Sequence, residues 1–84
     1  MFIDRIYNVS LIKDCNEVIY SNSFYDYDGA KDDFISIIID GCSDTSNIDF
    51  DYYVEKGVYA YDRLNERTKE MNRYEVYCNE VNLI

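Results

Sequence analysis

The chain predicts an α+β fold: a small antiparallel sheet of four to five strands, opening with an N-terminal hairpin, and one main helix at about residues 29–40. Three observations carry this. Two alternating runs flank a short polar break, a capped segment follows with apolar residues at helical spacing, and further alternating runs fill the C-terminal half. The 84 residues suit one domain spanning 1–84. A chain this short buries about 60–65% of its unfolded surface, which leaves a small stability margin that a homodimer would widen. Hydrophobic residues at 48% and aromatics at 17% mark a folded protein rather than an acidic tail.

Taken in order, Arg5 to Ile12 alternates, with Ile3, Tyr7, Val9 and Leu11 on one side and Asp4, Asn8 and Ser10 on the other. Lys13-Asp14-Cys15-Asn16 is a polar turn. Glu17 to Tyr25 alternates again, with Val18, Tyr20 and Phe24 facing alike, so the two runs read as a hairpin. In the next segment Asp28 is a good N-cap, because its carboxylate can accept the free amide hydrogens of a first turn. Asp32 and Asp33 lie near that turn, where the helix dipole favours negative charge. Ala30, Phe34, Ile37 and Ile38 form one stripe, and Gly41 suits the position after the helix.

Cys42 to Asn47 is a polar loop. Ile48 to Glu55 then alternates, with Ile48, Phe50, Tyr52 and Val54 on one side and Asp49, Asp51, Tyr53 and Glu55 on the other, as in a strand with one buried face. Glu55-Lys56-Gly57 turns the chain into Val58–Tyr61. Arg63 to Asn72 is a loop or short helix, and Arg73 to Ile84 is a last strand with Tyr74, Val76 and Cys78 on one face. The same region admits a second helix within 52–71, since Val54, Val58, Tyr61 and Leu64 also keep helical spacing. Gly57 and the β-branched and aromatic content favour strands.

Enzyme chemistry finds little support. There is no His, which removes Ser-His-Asp and Cys-His arrangements and His-containing zinc sites. Three glycines make no phosphate loop. Asp26-Tyr27-Asp28-Gly29 imitates part of a calcium loop. With Gly29 at loop position 6, however, Phe24 and Ile35 fall where Asp and Glu are needed, so helix capping explains the motif better. No catalytic residue, metal or cofactor is expected. Cys15, Cys42 and Cys78 are odd in number and widely spaced, which suits reduced thiols in a cytoplasm. The N-terminus lacks a signal-peptide pattern, and Ile37–Ile39 is far too short an apolar run to cross a bilayer.

Charge is the informative property. The net charge is −9, and residues 1–62 hold thirteen acids against four bases, whereas 63–84 hold four of each. Such a field favours a cationic partner and disfavours direct binding to nucleic acid or an anionic membrane. On a strand, alternate residues lie about 6.6–6.8 Å apart on one face, comparable with the roughly 3.4 Å axial repeat of DNA phosphates once their spiral path is allowed for. Asp49, Asp51 and Glu55, with Tyr53 among them, would thus form a row that a nucleic-acid groove accepts. Asp26, Asp28, Asp32 and Asp33 would extend the field from the helix start. A solvated strand face that keeps a small protein soluble is the competing account. Tyr7, Tyr20 and Tyr52 read as core, whereas Tyr25, Tyr27 and Tyr53 lie beside acids, where exposed Tyr suits a binding hot spot. Arg63, Arg67, Lys69 and Arg73 interleave with Glu66 and Glu70 and read as surface ion pairs.

In size, charge and element order over the whole chain, this protein resembles the small acidic phage-encoded inhibitors of host defence, the anti-CRISPR and anti-restriction proteins, several of which act as DNA mimics. The resemblance rests on no sequence motif and transfers no residue roles. It implies a stoichiometric inhibitor, without turnover, that occupies the cationic channel of a nucleic-acid-binding complex such as a CRISPR effector. An immunity or antitoxin protein covering a basic nuclease, and a non-catalytic assembly module, remain open alternatives.

Overall fold

The computed structural model describes residues 5–42 and 44–82. Ile3 and Asp4, assigned above to the first strand's alternation, and Leu83–Ile84, assigned to the last strand, lie outside the described residues. The element order is β1 (Arg5–Lys13), β2 (Glu17–Phe24), α1 (Tyr27–Gly41), α2 (Phe50–Lys56), β3 (Val58–Asn65) and β4 (Glu70–Asn82). The four strands form one antiparallel sheet in the order β2-β1-β4-β3, so the expected α+β architecture and N-terminal hairpin are present.

Both helices lie on one face of the sheet. Ala30, Phe34 and Ile38 of α1 recur every fourth residue and are buried, and they form the core with Val9, Val54 and Val76. Burying a side chain the size of Phe34 contributes about 1.5–3 kcal/mol. The register sets Leu11 opposite both Tyr20 and Val76, and Tyr61 opposite Tyr74, so these side chains share the helix-covered face. Tyr74, Val76 and Cys78 share it too, as their spacing suggests. The opposite face mixes Ile6, Ile12 and Val58 with Asn8, Ser10 and Ser21, a composition that tolerates water. There the Asn8 amide donates to the Ser21 and Ser23 hydroxyls at 3.3 Å.

Several elements differ from expectation. The segment Ile48–Glu55 is not a strand. Phe50–Lys56 is helical, with the Asp49 carboxylate accepting the Tyr52 N–H at 3.2 Å, Asp51 in the first turn, Lys56 in the last and Gly57 closing it in the left-handed region at φ 79°. Complete start and stop signals, with seven residues between them, prevail over the alternating interior. The second helix therefore occupies 50–56 rather than running on through 52–71. Arg63–Asn72 is the tip of a longer β3–β4 hairpin, in which Asn65 pairs with Glu70.

Two shifts are smaller. Helix α1 begins at Tyr27, so its N-cap is Asp26 and not Asp28, which lies in the first turn. A bulge between Leu11 and Ile12 moves the register by one, so Val18 lies opposite Ile12 and faces away from Tyr20 and Phe24.

Candidate functional site

The candidate acidic residues are brought together on the helical layer. Asp26 caps α1, its carboxylate accepting the Gly29 N–H. Asp28 and Asp32 follow one turn apart and are exposed. Asp33 points toward the sheet edge, where the Tyr20 hydroxyl donates to it at 2.8 Å. On α2, Asp49 is consumed as the cap, while Asp51 and Glu55 are exposed one turn apart. The Lys31 ammonium reaches the Asp51 carboxylate at 3.6 Å and links the two helices.

The C-terminal turn of α2 lies beside the first turn of α1. Val54 and Glu55 share with Tyr7 and Tyr27 the wall of a cavity of about 330 Å³. Lys31 against Asp51 is a second contact between the helices, and each helix carries its own pair of carboxylates.

The strand-borne row does not exist. In a helix, residues two apart point in different directions, so Asp49, Asp51, Tyr53 and Glu55 do not line up. Tyr53 is half-buried, meeting the Tyr52 and Tyr59 rings edge-on at centroid distances of 5.1 and 4.7 Å. Tyr52, expected in the core, is instead 50% exposed. Tyr25 and Tyr27 are exposed as expected.

Two further carboxylates, Asp40 and Asp44, join this layer. Asp44 accepts the Ser46 N–H at 3.0 Å and its hydroxyl at 2.8 Å, and these donors hold its carboxyl below the usual value. Neither residue could be found from alternation, because Asp40 lies off the apolar stripe and Asp44 lies in a loop. Together, residues 26–56 hold nine acids against Lys31 and Lys56, a net −7 of the chain's −9. Under α1, Leu11, Ile37 and the Tyr20 and Tyr61 rings line a cavity of about 350 Å³ with Asp33 and Asp40 at its wall, and Arg63 borders it.

On the sheet side three charges are paired or engaged through their side chains. Arg73 lies 4.0 Å from Asp62 across β3 and β4. Glu75 accepts from the Tyr77 hydroxyl at 2.6 Å and from the Cys15 thiol at 3.2 Å, and both donors lower its carboxyl's affinity for a proton. Of the cluster read as surface ion pairs, Arg73 is so engaged.

Among the described residues, no group of three or more Cys, Asp or Glu is placed to hold a metal ion, and no helix is long and apolar enough to cross a membrane. Comparison of the chain with protein-family models, curated proteins and solved structures finds no match in any of them.

Proposed function

We propose that this chain is a stoichiometric, non-catalytic inhibitor acting in the cytoplasm, whose helical layer presents carboxylates to the cationic nucleic-acid channel of a host defence complex such as a CRISPR effector. The observation that carries the reading is the segregation of charge. The layer formed by residues 26–56 bears −7, while the rest of the chain, with eight acids and six bases, bears −2. Asp28, Asp32, Asp51 and Glu55 are exposed on two helices packed on a sheet, so their positions are held before a partner arrives. Opposed charges steer the encounter, and added salt slows it.

The test pairs capture with charge reversal. The immobilised chain is expected to retain a basic nucleic-acid-binding complex from a host lysate at low salt and to release it at moderate salt. Asp32→Lys combined with Glu55→Lys removes two exposed carboxylates that cap nothing. That variant should melt like the parent and lose retention at least tenfold. Retention unchanged by this reversal would end the proposal, and capture of a basic nuclease toxin would select the immunity-protein reading.

A further inference from the structure

We infer that the chain self-associates through strand β2, pairing antiparallel with β2 of a second copy across a two-fold axis to give one eight-stranded sheet. This inference does not depend on the inhibitor reading.

The sheet has two outer strands, β2 and β3, and they differ in chemistry. Natural edges are commonly guarded by charge, Pro or cover. Strand β3 carries Asp62 and Arg63, and Asp44 and Glu66 share a cavity wall with them. Strand β2 carries charge only at its first residue, Glu17. Val18–Tyr25 is the longest uncharged run in a chain that is 30% charged. Along it Val18 is 62% exposed, Ile19 48% and Tyr25 73%.

The outward backbone groups of β2 fit a two-fold pairing. The Ser23 N–H donates to the side chain of Asn22 at 2.9 Å, so it is turned away from β1. Alternation turns Ser21 outward as well. With Asn22 opposite Asn22 of the second copy, Ser21 and Ser23 exchange backbone hydrogen bonds across the axis, the Ser23 N–H leaving the Asn22 side chain for the second copy. Tyr20 then meets Phe24 on the helix-covered face, a favourable cross-strand aromatic pair.

Charge and size set how tightly a second copy binds. In this register Ile19–Tyr25 of the two copies face each other, and Glu17 and Asp26 lie beyond the ends of that overlap. The charged β3 edge stops further addition, so assembly closes at two. A single strand–strand seam lies below the roughly 1,200–2,000 Å² of stable interfaces, so the dimer is weak and concentration-dependent. Because each copy carries −9, salt strengthens this contact. That sign is opposite to the one expected for capture of a cationic partner.

Sedimentation of the full chain tests the inference. The mean mass should rise with concentration from 10.0 kDa toward that of two chains, and the dissociation constant should fall about threefold or more from low to moderate salt. Ser21→Pro removes an outward N–H that no strand in the monomer uses, and Ser21→Lys with Ser23→Lys sets like charges across the axis. Both should keep the chain monomeric. Should the proline variant fail to fold, the lysine variant decides, together with amide exchange in the wild type, where the Ser21 N–H slows as concentration rises. A chain that stays at monomer mass at about 1 mM in moderate salt overturns the inference, since even weak seams populate there. Mass growing past two copies, or a folded lysine variant that dimerises like the parent, overturns it equally.

Discussion

The Tyr20 hydroxyl donates a 2.8 Å hydrogen bond to the Asp33 carboxylate, joining the edge strand β2 to the long helix. This bond, and burial to a lesser degree, raise the Tyr20 phenol above its ordinary value of 10.0. Asp33→Ala removes the acceptor. Tyr20 should then ionise at lower pH, followed through its ring signals by NMR, while melting changes little because the pair is exposed. A titration unmoved by the substitution would mean the bond does not form in solution.

Alkaline pH should unfold the protein through a wider set of groups. Burial is the first cause of the raised Tyr59, Tyr61 and Cys78 values, and hydrogen bonds to Glu75 raise Tyr77 and Cys15. A group whose folded value is raised stabilises the fold fully below its unfolded value and loses that contribution as pH rises through the folded one. The ordinary values are 9.0 for the thiols and 10.0 for the phenols. The melting temperature is therefore expected to hold from neutrality to about pH 9 and fall beyond about pH 10. A melt that is flat to pH 11 would contradict this.

Gly41 is where α1 ends against the sheet. A Cβ there would collide with the Tyr61 phenol, whose ring is stacked on Tyr74 at 5.3 Å. Moving Tyr61 aside breaks that stacking, so Gly41→Ala should cost about 1–3 kcal/mol, or a fall of very roughly 5–20 °C in Tm for a domain of this size. In the Tyr61→Ala background the same substitution should cost much less, and a double-mutant cycle measures the difference.

Asp49 and Asp51 separate helix from strand at this position. As an N-cap, Asp49 should cost about 1 kcal/mol when replaced by Ala, whereas Asp51→Ala loses only a first-turn charge and an exposed ion pair, less than about 1 kcal/mol. Equal small losses at both sites, measured by denaturant unfolding, would fit a solvated strand face instead. The inequality also bears on function, because reversing Asp49 would perturb the fold together with any binding surface.

Local sequence was sufficient wherever a signal recurs several times over. Alternation around Lys13–Asn16 determined the first hairpin, and the Ala30, Phe34, Ile38 stripe determined which side of α1 is buried. It was insufficient at Ile48–Glu55, because eight residues hold four strand alternations and only two helical turns, and apolar residues at 50 and 54 satisfy both periods. Packing settled that stretch. Val54 reaches the core from a helix capped by Asp49, and Gly57 adopts the left-handed angle that ends it, its carbonyl accepting the Cys78 N–H at 2.9 Å. The sum of charge, −9, belongs to composition alone. Its gathering on one layer came from folding, because both helices fall on the same side of the sheet and carry the segment 26–56 with them.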